Sequence, residues 1–364
     1  MAIINLYHTC FQQIKQLRPQ ERKTRARTMS WLMVGLFLGR CVHLSHIARK
    51  IPGRSQNQSK TKKIARLLDN KHIQVRAWYE PIARGLLQAA RASGHPIRLL
   101  VDGSKVGNGH QLLMVALAYR RRAIPLVWSW VKGKRGHSSA RHQCALLAYV
   151  HSLIPPETTV LVAGDSEFGA VPVLRLLDEW QWGYALRQKS SHLLCRAGTT
   201  AWVACASLLS QPGQTGWLEG VLLTEKHLYQ TNFLAYWRQG EEEPWLLATN
   251  MTTARQTKQL YLRRMWIEEM FGDFKKHGFD LECTRLQRFA HLSRLTLAVS
   301  LLYYWLVVFG SQVIKNGKRY LVDRSDRRDL SIFRIGFDFV DRCWLNDEPI
   351  SIRAVPYFYK LSGS

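Results

Sequence analysis

Through the first 95 residues apolar positions recur at helical spacing, with no strand-like alternation. Two short amphipathic stretches, Leu36 to Pro52 and Gln56 to Asn70, are separated by Pro52-Gly53-Arg54-Ser55, a run that punctuates a turn. From Pro96 the period changes. Ile97 to Val101 is a short apolar run, and Leu112 to Ala118 and Ile124 to Trp130 flank Tyr119-Arg120-Arg121-Arg122-Ala123 as the arms of a hairpin do. A helix is predicted over roughly Ser138 to Leu153, a buried strand over Thr159 to Ala163, a helix over Ala170 to Glu179 and a strand over Trp182 to Arg187. Between about 190 and 250, runs such as Val221-Leu222-Leu223, Phe233-Leu234-Ala235-Tyr236-Trp237 and Trp245-Leu246-Leu247-Ala248-Thr249 are broken by Gly, Pro and polar turns, which predicts a β-rich insertion. Helix resumes from Thr253 to about Lys276, and a long apolar helix follows over Leu292 to Phe309. The pattern from Asn316 onward is mixed and gives no assignment.

The fold class expected from this order is α/β: a mixed sheet flanked by helices, with a β-rich insertion and a helical N-terminal region. The corresponding segments are 1–95 (helical and basic), 96–189 (first part of the α/β core), 190–250 (insertion), 251–310 (second part of the core) and 311–364 (a basic C-terminal tail).

Charge narrows the function. The 364-residue chain carries 52 Lys+Arg against 26 Asp+Glu, a formal net charge of +26. A surplus of that size implies a polyanionic partner, nucleic acid first and an anionic membrane surface second. From Lys15 to Arg66 there are fourteen Lys/Arg and one acid, Glu21, which is the footprint of a DNA-gripping region. Within it, Val42 to Ile51 followed by the basic start Ser59-Lys60-Thr61-Lys62-Lys63 fits two readings: a helix-turn-helix, or a helical bundle with a solvated basic face. Leu295 to Gly310 falls short of the roughly 20 residues a membrane span needs, so it reads as a buried helix. No signal peptide is expected, since Met1 to Phe11 carries no basic start followed by an apolar run, and the seven scattered cysteines, with no C-x-x-C pair, suggest neither a zinc site nor a disulfide framework. Reduced thiols in a cytoplasmic protein are expected.

Three carboxylates carry the candidate chemistry. Leu99-Leu100-Val101-Asp102 and Val160-Leu161-Val162-Ala163-Gly164-Asp165 each place an aspartate at the end of an apolar strand. If the strands are neighbours, the two carboxylates emerge together and repel unless a hard cation sits between them. On a helix at roughly 100° per residue, Tyr261, Arg264, Glu268 and Lys275 share one stripe, whereas Glu269 and Asp273 do not. That face offers a carboxylate with an aromatic ring and two cations along its length, although the same spacing also describes an ordinary i, i+4 salt bridge on an amphipathic helix.

Tyr261, Arg264, Glu268 and Lys275 match Y-(2)-R-(3)-E-(6)-K, and together with the two strand-end aspartates the sequence resembles the DDE transposases of bacterial insertion sequences over about residues 97 to 310. The resemblance implies a ribonuclease-H-like core interrupted by the β-rich insertion. It further implies that Asp102, Asp165 and Glu268 bind two Mg²⁺ ions, for which Mn²⁺ can substitute, and cut and join DNA at transposon ends by cut-and-paste. Arg264, Lys275 and Tyr261 would contact DNA, Trp245 would stack on a flipped base, and Lys60, Lys62 and Lys63 would grip the duplex. The partners implied are double-stranded DNA and a second copy of the chain on paired ends, in a cytoplasmic, nucleoid-associated protein with no membrane. The residues after the second aspartate, Ser166-Glu167-Phe168-Gly169, depart from the expected basic neighbour. A silent end-binding repressor and a ribonuclease-H-like nuclease are the competing readings.

Overall fold

The computed structural model describes residues 2–107, 109–133 and 138–359. Five helices precede the sheet: α1 (Ala2–Leu17), α2 (Lys23–Gly39), α3 (Leu44–Arg49), α4 (Asn57–Asp69) and α5 (Val75–Arg91). The stretch from Leu36 to Pro52 is not one helix. Its first turn completes α2, which stops at Arg40 in a left-handed conformation (φ 48°) with the Arg40 N–H bonded to the Leu36 carbonyl. The six-residue α3 buries Ile47 and Ala48, and Gly35 lets it lie close, because a methyl at Gly35 would strike the Ile47 side chain. Helix α4 buries Ile64, Leu67 and Leu68. These helices therefore form a wall of the main core as well as presenting a basic face.

The strands β1 (Ile97–Val106), β2 (His110–Tyr119) and β3 (Arg122–Lys132) form an antiparallel meander, its second turn a tight pair, Arg120 and Arg121, both at positive φ (48° and 63°). That is the twist a two-residue hairpin needs, reached here without the usual Asn-Gly. Next come α6 (Ala140–His151), β4 (Val160–Gly164), α7 (Val171–Glu179) and β5 (Gly183–Arg187). The β-rich segment supplies β6 (Leu193–Cys195), β7 (Trp202–Ala204), β8 (Thr215–Leu223), β9 (Tyr229–Tyr236) and β10 (Trp245–Thr249). All ten strands belong to one sheet, ordered β3-β2-β1-β4-β5-β10-β9-β8-β6-β7. The insertion is thus continuous with the core, joined through the antiparallel pairing of β10 with β5. Among the described residues only β1–β4 and β4–β5 are parallel, with α6 in the connection into β4 and α7 in the crossover between β4 and β5.

Helix α8 (Ala254–Tyr261) leads through a 3₁₀ turn (Leu262–Arg264) into α9 (Met265–Phe274), which lies against β1, β2 and β3. Helix α10 (Phe289–Lys315) runs 27 residues, longer than its apolar pattern indicated and long and apolar enough to cross a membrane; 89% of that apolar window is buried inside the fold. It docks on β3, where Trp130 Nε1 donates to Thr296 Oγ1 at 3.0 Å. The C-terminal segment is more than a basic tail. It forms α11 (Ile332–Leu345), which crosses α10 at glycines on both helices: a methyl at Gly336 would run into the Leu306 carbonyl oxygen, and one at Gly310 into the Ile332 carbonyl oxygen. Phe337 then reaches Phe37 of α2, with ring centroids 4.7 Å apart. Residues 360–364 of the expected tail lie outside the described residues.

Candidate active site

The parallel pairings set one row of side chains. Register runs Val101↔Gly164 between β1 and β4, and Gly164↔Leu186 between β4 and β5. The next position on each strand is Asp102, Asp165 and Arg187, side by side where the three parallel segments open at their C-terminal ends. Ligand sites gather at this edge of α/β sheets, because the chain leaves the sheet there and frees the last side chains. Asp102 differs from the expectation of a strand end. It sits inside β1, paired with Met114 of β2, and is freed only on the β4 side, where β4 stops at Gly164. Gly164 is required for this packing, since a methyl there would collide with the Val101 side chain. Asp165 is extended and half-buried, and it precedes a 3₁₀ turn (Ser166–Phe168) pinned by the fully buried Phe168, whose N–H donates to the Asp165 carbonyl at 2.9 Å.

Helix α9 brings the third carboxylate to the row. Arg264 Nη1 lies 2.5 Å from Glu268 Oε1 and 3.8 Å from Asp102 Oδ2, so the guanidinium sits between two of the acids. Its Cζ is 5.6 Å from the Tyr261 ring centroid. Tyr261, Arg264 and Glu268 are thus brought together as their helical stripe predicts. Burial drives the Asp102 pKa up to about 7; Arg264 pulls it down, while Asp165 and Glu268 push it further up. Two polar atoms here, Tyr261 Oη and Arg264 Nε, are buried with no hydrogen-bond partner. Orphaned buried donors are costly, about 1–3 kcal/mol each.

Lys275 departs from the stripe. Helix α9 ends at Phe274, Lys275 leaves helical geometry (ψ −127°), and its Nζ pairs with Glu282 Oε1 at 3.0 Å. The glycine at 272 allows the chain to fold back, since a methyl there would lie 3.0 Å from His277 Nδ1. Trp245, at the start of β10, packs edge-to-face on Tyr261 with centroids 5.0 Å apart, which puts it beside the site. Of the N-terminal lysines, Lys60 donates to the Ile51 carbonyl at 2.7 Å and so closes its own loop, whereas Lys62 and Lys63 are exposed.

Several residues of the site were not legible in the sequence. Arg187 is fixed by register alone; it pairs with Glu243 at 2.8 Å and, with Lys189, lines a cleft opening from Asp165 and Ser166. The basic neighbour missing after Asp165 is therefore supplied from the adjacent strand. Glu167 spends both oxygens on the scaffold: Oε1 accepts from the Ser138 N–H and Oγ at 2.5 and 2.6 Å, and Oε2 accepts from Gln111 Nε2 at 2.7 Å. Although only two positions from Asp165, it is committed to the scaffold.

An Asp/Asp/Glu set offers only oxygen donors, which suits a hard divalent cation such as Mg²⁺ and not a soft one. The three carboxylates do not converge within 4.8 Å of one another, and Arg264 stands between two of them as the local counter-charge. No protein-family model matches the chain, and no curated protein matches it. Among solved structures the chain is similar to a piggyBac transposase synaptic complex with hairpin DNA, at 9% identity and a TM-score of 0.44, covering 95% of this chain and 78% of that one.

Proposed function

We propose that the chain is a DDE-type DNA transposase of the insertion-sequence kind, with the β3-β2-β1-β4-β5 half of the sheet and its helices as a ribonuclease-H-like core. The observation that carries the reading is the juxtaposition of the Asp102–Asp165–Arg187 row with Glu268 and Arg264 of α9, beside two orphaned polar atoms. Asp102, Asp165 and Glu268 would hold Mg²⁺ or Mn²⁺, which when bound supplies charge neutralisation and an activated nucleophile for in-line phosphoryl transfer. The protein's own groups do the rest. Arg264, displaced from the carboxylates, turns its guanidinium to a phosphate oxygen, and Tyr261 Oη donates to the same backbone. Arg187 and Lys189 track the strand along the cleft beside Asp165. Basic side chains also line the hollows on either side of Trp266, with Arg98, Arg120 and Arg263 on one and Arg121, Arg319 and Arg328 on the other, which supports a duplex lying across α9. Trp245, edge-to-face on Tyr261, would stack on an unpaired base. In this reading the chain acts by cut-and-paste, as a dimer on paired ends.

The test is cleavage of linear DNA carrying the element's own ends, with Mg²⁺ or Mn²⁺, by wild type and by Glu268→Gln. Metal-dependent nicking at the end, lost in the variant while end binding survives, is the expected result. Binding of the ends without cleavage by either protein would move the reading to an end-binding repressor, and cleavage without joining to a nuclease.

A further inference from the structure

A second cluster of ligand-type side chains lies away from the carboxylates. Cys41 Sγ and Cys283 Sγ are 2.8 Å apart although 242 positions separate them, and an oxygen of Asp280 lies within 4.8 Å of both sulfurs. Each arm is held by its own backbone. Cys41 directly follows Arg40, the left-handed cap that stops α2, and Arg40 is tied to Asp341 of α11 at 2.6 Å. On the other side, Asp280 takes a left-handed conformation (φ 47°) and opens the 3₁₀ turn Leu281–Cys283, anchored by the buried Leu281. The Cys283 N–H donates to the Asp280 carbonyl at 3.1 Å, which closes the turn and keeps the two residues together. All three side chains are half-buried, so an ion can reach them and water is partly excluded.

We infer that Cys41, Cys283 and Asp280 form a binding site for one Zn²⁺ ion, which staples the end of α2 to the loop that follows α9. Two thiolates and a carboxylate are a zinc donor set, and they differ in kind from the all-oxygen set of the first site. At Zn–S distances of about 2.3 Å in tetrahedral geometry the sulfurs stand roughly 3.8 Å apart, so loading spreads them by about 1 Å. A disulfide would instead need them to close and would leave the converging carboxylate without a role. The staple has a consequence for Lys275: its carbonyl accepts from the Asp280 N–H at 2.8 Å and its ammonium pairs with Glu282, so the turn that supplies two zinc ligands also fixes this lysine.

The experiment is elemental analysis of the full chain, purified without a histidine tag or chelator, before and after incubation with Zn²⁺ and desalting. About one zinc per chain is expected, with Cys41→Ser and Cys283→Ser each abolishing it and Asp280→Asn weakening retention by roughly tenfold or more. Because a cysteine variant can fail to fold, Co²⁺ is added to the wild-type protein as well; a thiolate-to-cobalt charge-transfer band, bleached by Zn²⁺, reports the same site without mutation. Absence of zinc with both thiols freely alkylated overturns the inference. Absence of zinc with two thiols alkylated only after reduction overturns it too, in favour of a disulfide.

Discussion

Arg264 standing between Asp102 and Glu268 makes a quantitative prediction. Replacing it by Met keeps most of the buried stem and its packing but removes the charge. Taking one partner from a fully buried ion pair costs about 3–5 kcal/mol, because the remaining charge is stranded. Here the penalty is smaller. The Glu268 side chain is 39% exposed, and the nearest Arg264–Asp102 approach is 3.8 Å, so both contacts are partly screened. Asp102 can also shed its charge by staying protonated, since its pKa already stands at about 7 with the arginine present and rises further without it. About 2 kcal/mol of lost stability at pH 8 in EDTA follows, and about half of that at pH 6.

Mg²⁺ reverses the order. If the three carboxylates hold Mg²⁺ as proposed, the ion must displace a resident guanidinium in the wild-type protein, whereas in Arg264→Met the carboxylates are free, so the variant is expected to bind Mg²⁺ more tightly in the absence of DNA. Saturation at about 100 times the dissociation constant adds about 2.7 kcal/mol, enough to offset the loss. Urea unfolding followed by tryptophan fluorescence, at both pH values with EDTA and with a Mg²⁺ series, measures each quantity. Equal midpoints for the two proteins at pH 8 in EDTA, with equal shifts in Mg²⁺, would refute the claim that the guanidinium balances these carboxylates.

Further outcomes follow from the same geometry. With its folded pKa at about 7 against about 4 unfolded, Asp102 keeps its proton where the unfolded chain has lost it, so its contribution to stability falls as pH rises from about 4 to 7, by up to about 1.4 kcal/mol per unit. Asp102→Asn in EDTA therefore gains on wild type as pH rises through that window, and a gap moving the other way counts against the assignment. Gly336→Ala, which drives a methyl into the Leu306 carbonyl, should cost about 3 kcal/mol and lower the melting temperature, while Ala at Gly85 meets only Val355 Cγ1 at 3.5 Å, an ordinary contact. Tyr261→Phe removes a buried hydroxyl with no partner, so it should leave stability unchanged within about 0.5 kcal/mol or raise it, yet slow end cleavage if Oη contacts the DNA. A clear stability loss in Tyr261→Phe would mean that the hydroxyl serves the fold.

Short-range pattern carried most of the element order. The apolar runs at Val160 and Gly183 were readable because both strands are buried on two faces, and β-hairpin arms were readable on either side of Arg120-Arg121. The tail was not. Helix α11 does carry a helical period, with Ile332, Ile335, Phe339, Val340 and Cys343 buried on one face, and it went unassigned; what the pattern could not give is its packing, which depends on Gly310 and Gly336 meeting across a helix crossing. The joining of β10 to β5 is likewise a pairing choice, and nothing local in Trp245–Thr249 distinguishes an extension of the main sheet from a separate one.

The candidate site divides along the same line, and the division explains which residues left the expected geometry. Tyr261, Arg264 and Glu268 lie within two turns, where counting at 100° per residue tolerates a single 3₁₀ turn. Lys275 is seven residues beyond Glu268, past the end of α9 at Phe274, and there the count no longer describes the chain. Asp102 and Asp165 were recognisable because each follows an apolar run, whereas Arg187 follows one too and passed unnoticed, since an arginine after a strand has many uses. Register supplies the difference: Val101↔Gly164↔Leu186 puts the three in one row, and that row places a cation beside the acid pair. The same holds for Cys41 and Cys283, scattered along the sequence and adjacent in space once α2 and the turn after α9 are fixed. Chemistry that depends on two distant backbones meeting is invisible to periodicity, and the Arg187 contact and the Cys41–Cys283 pair are of that kind.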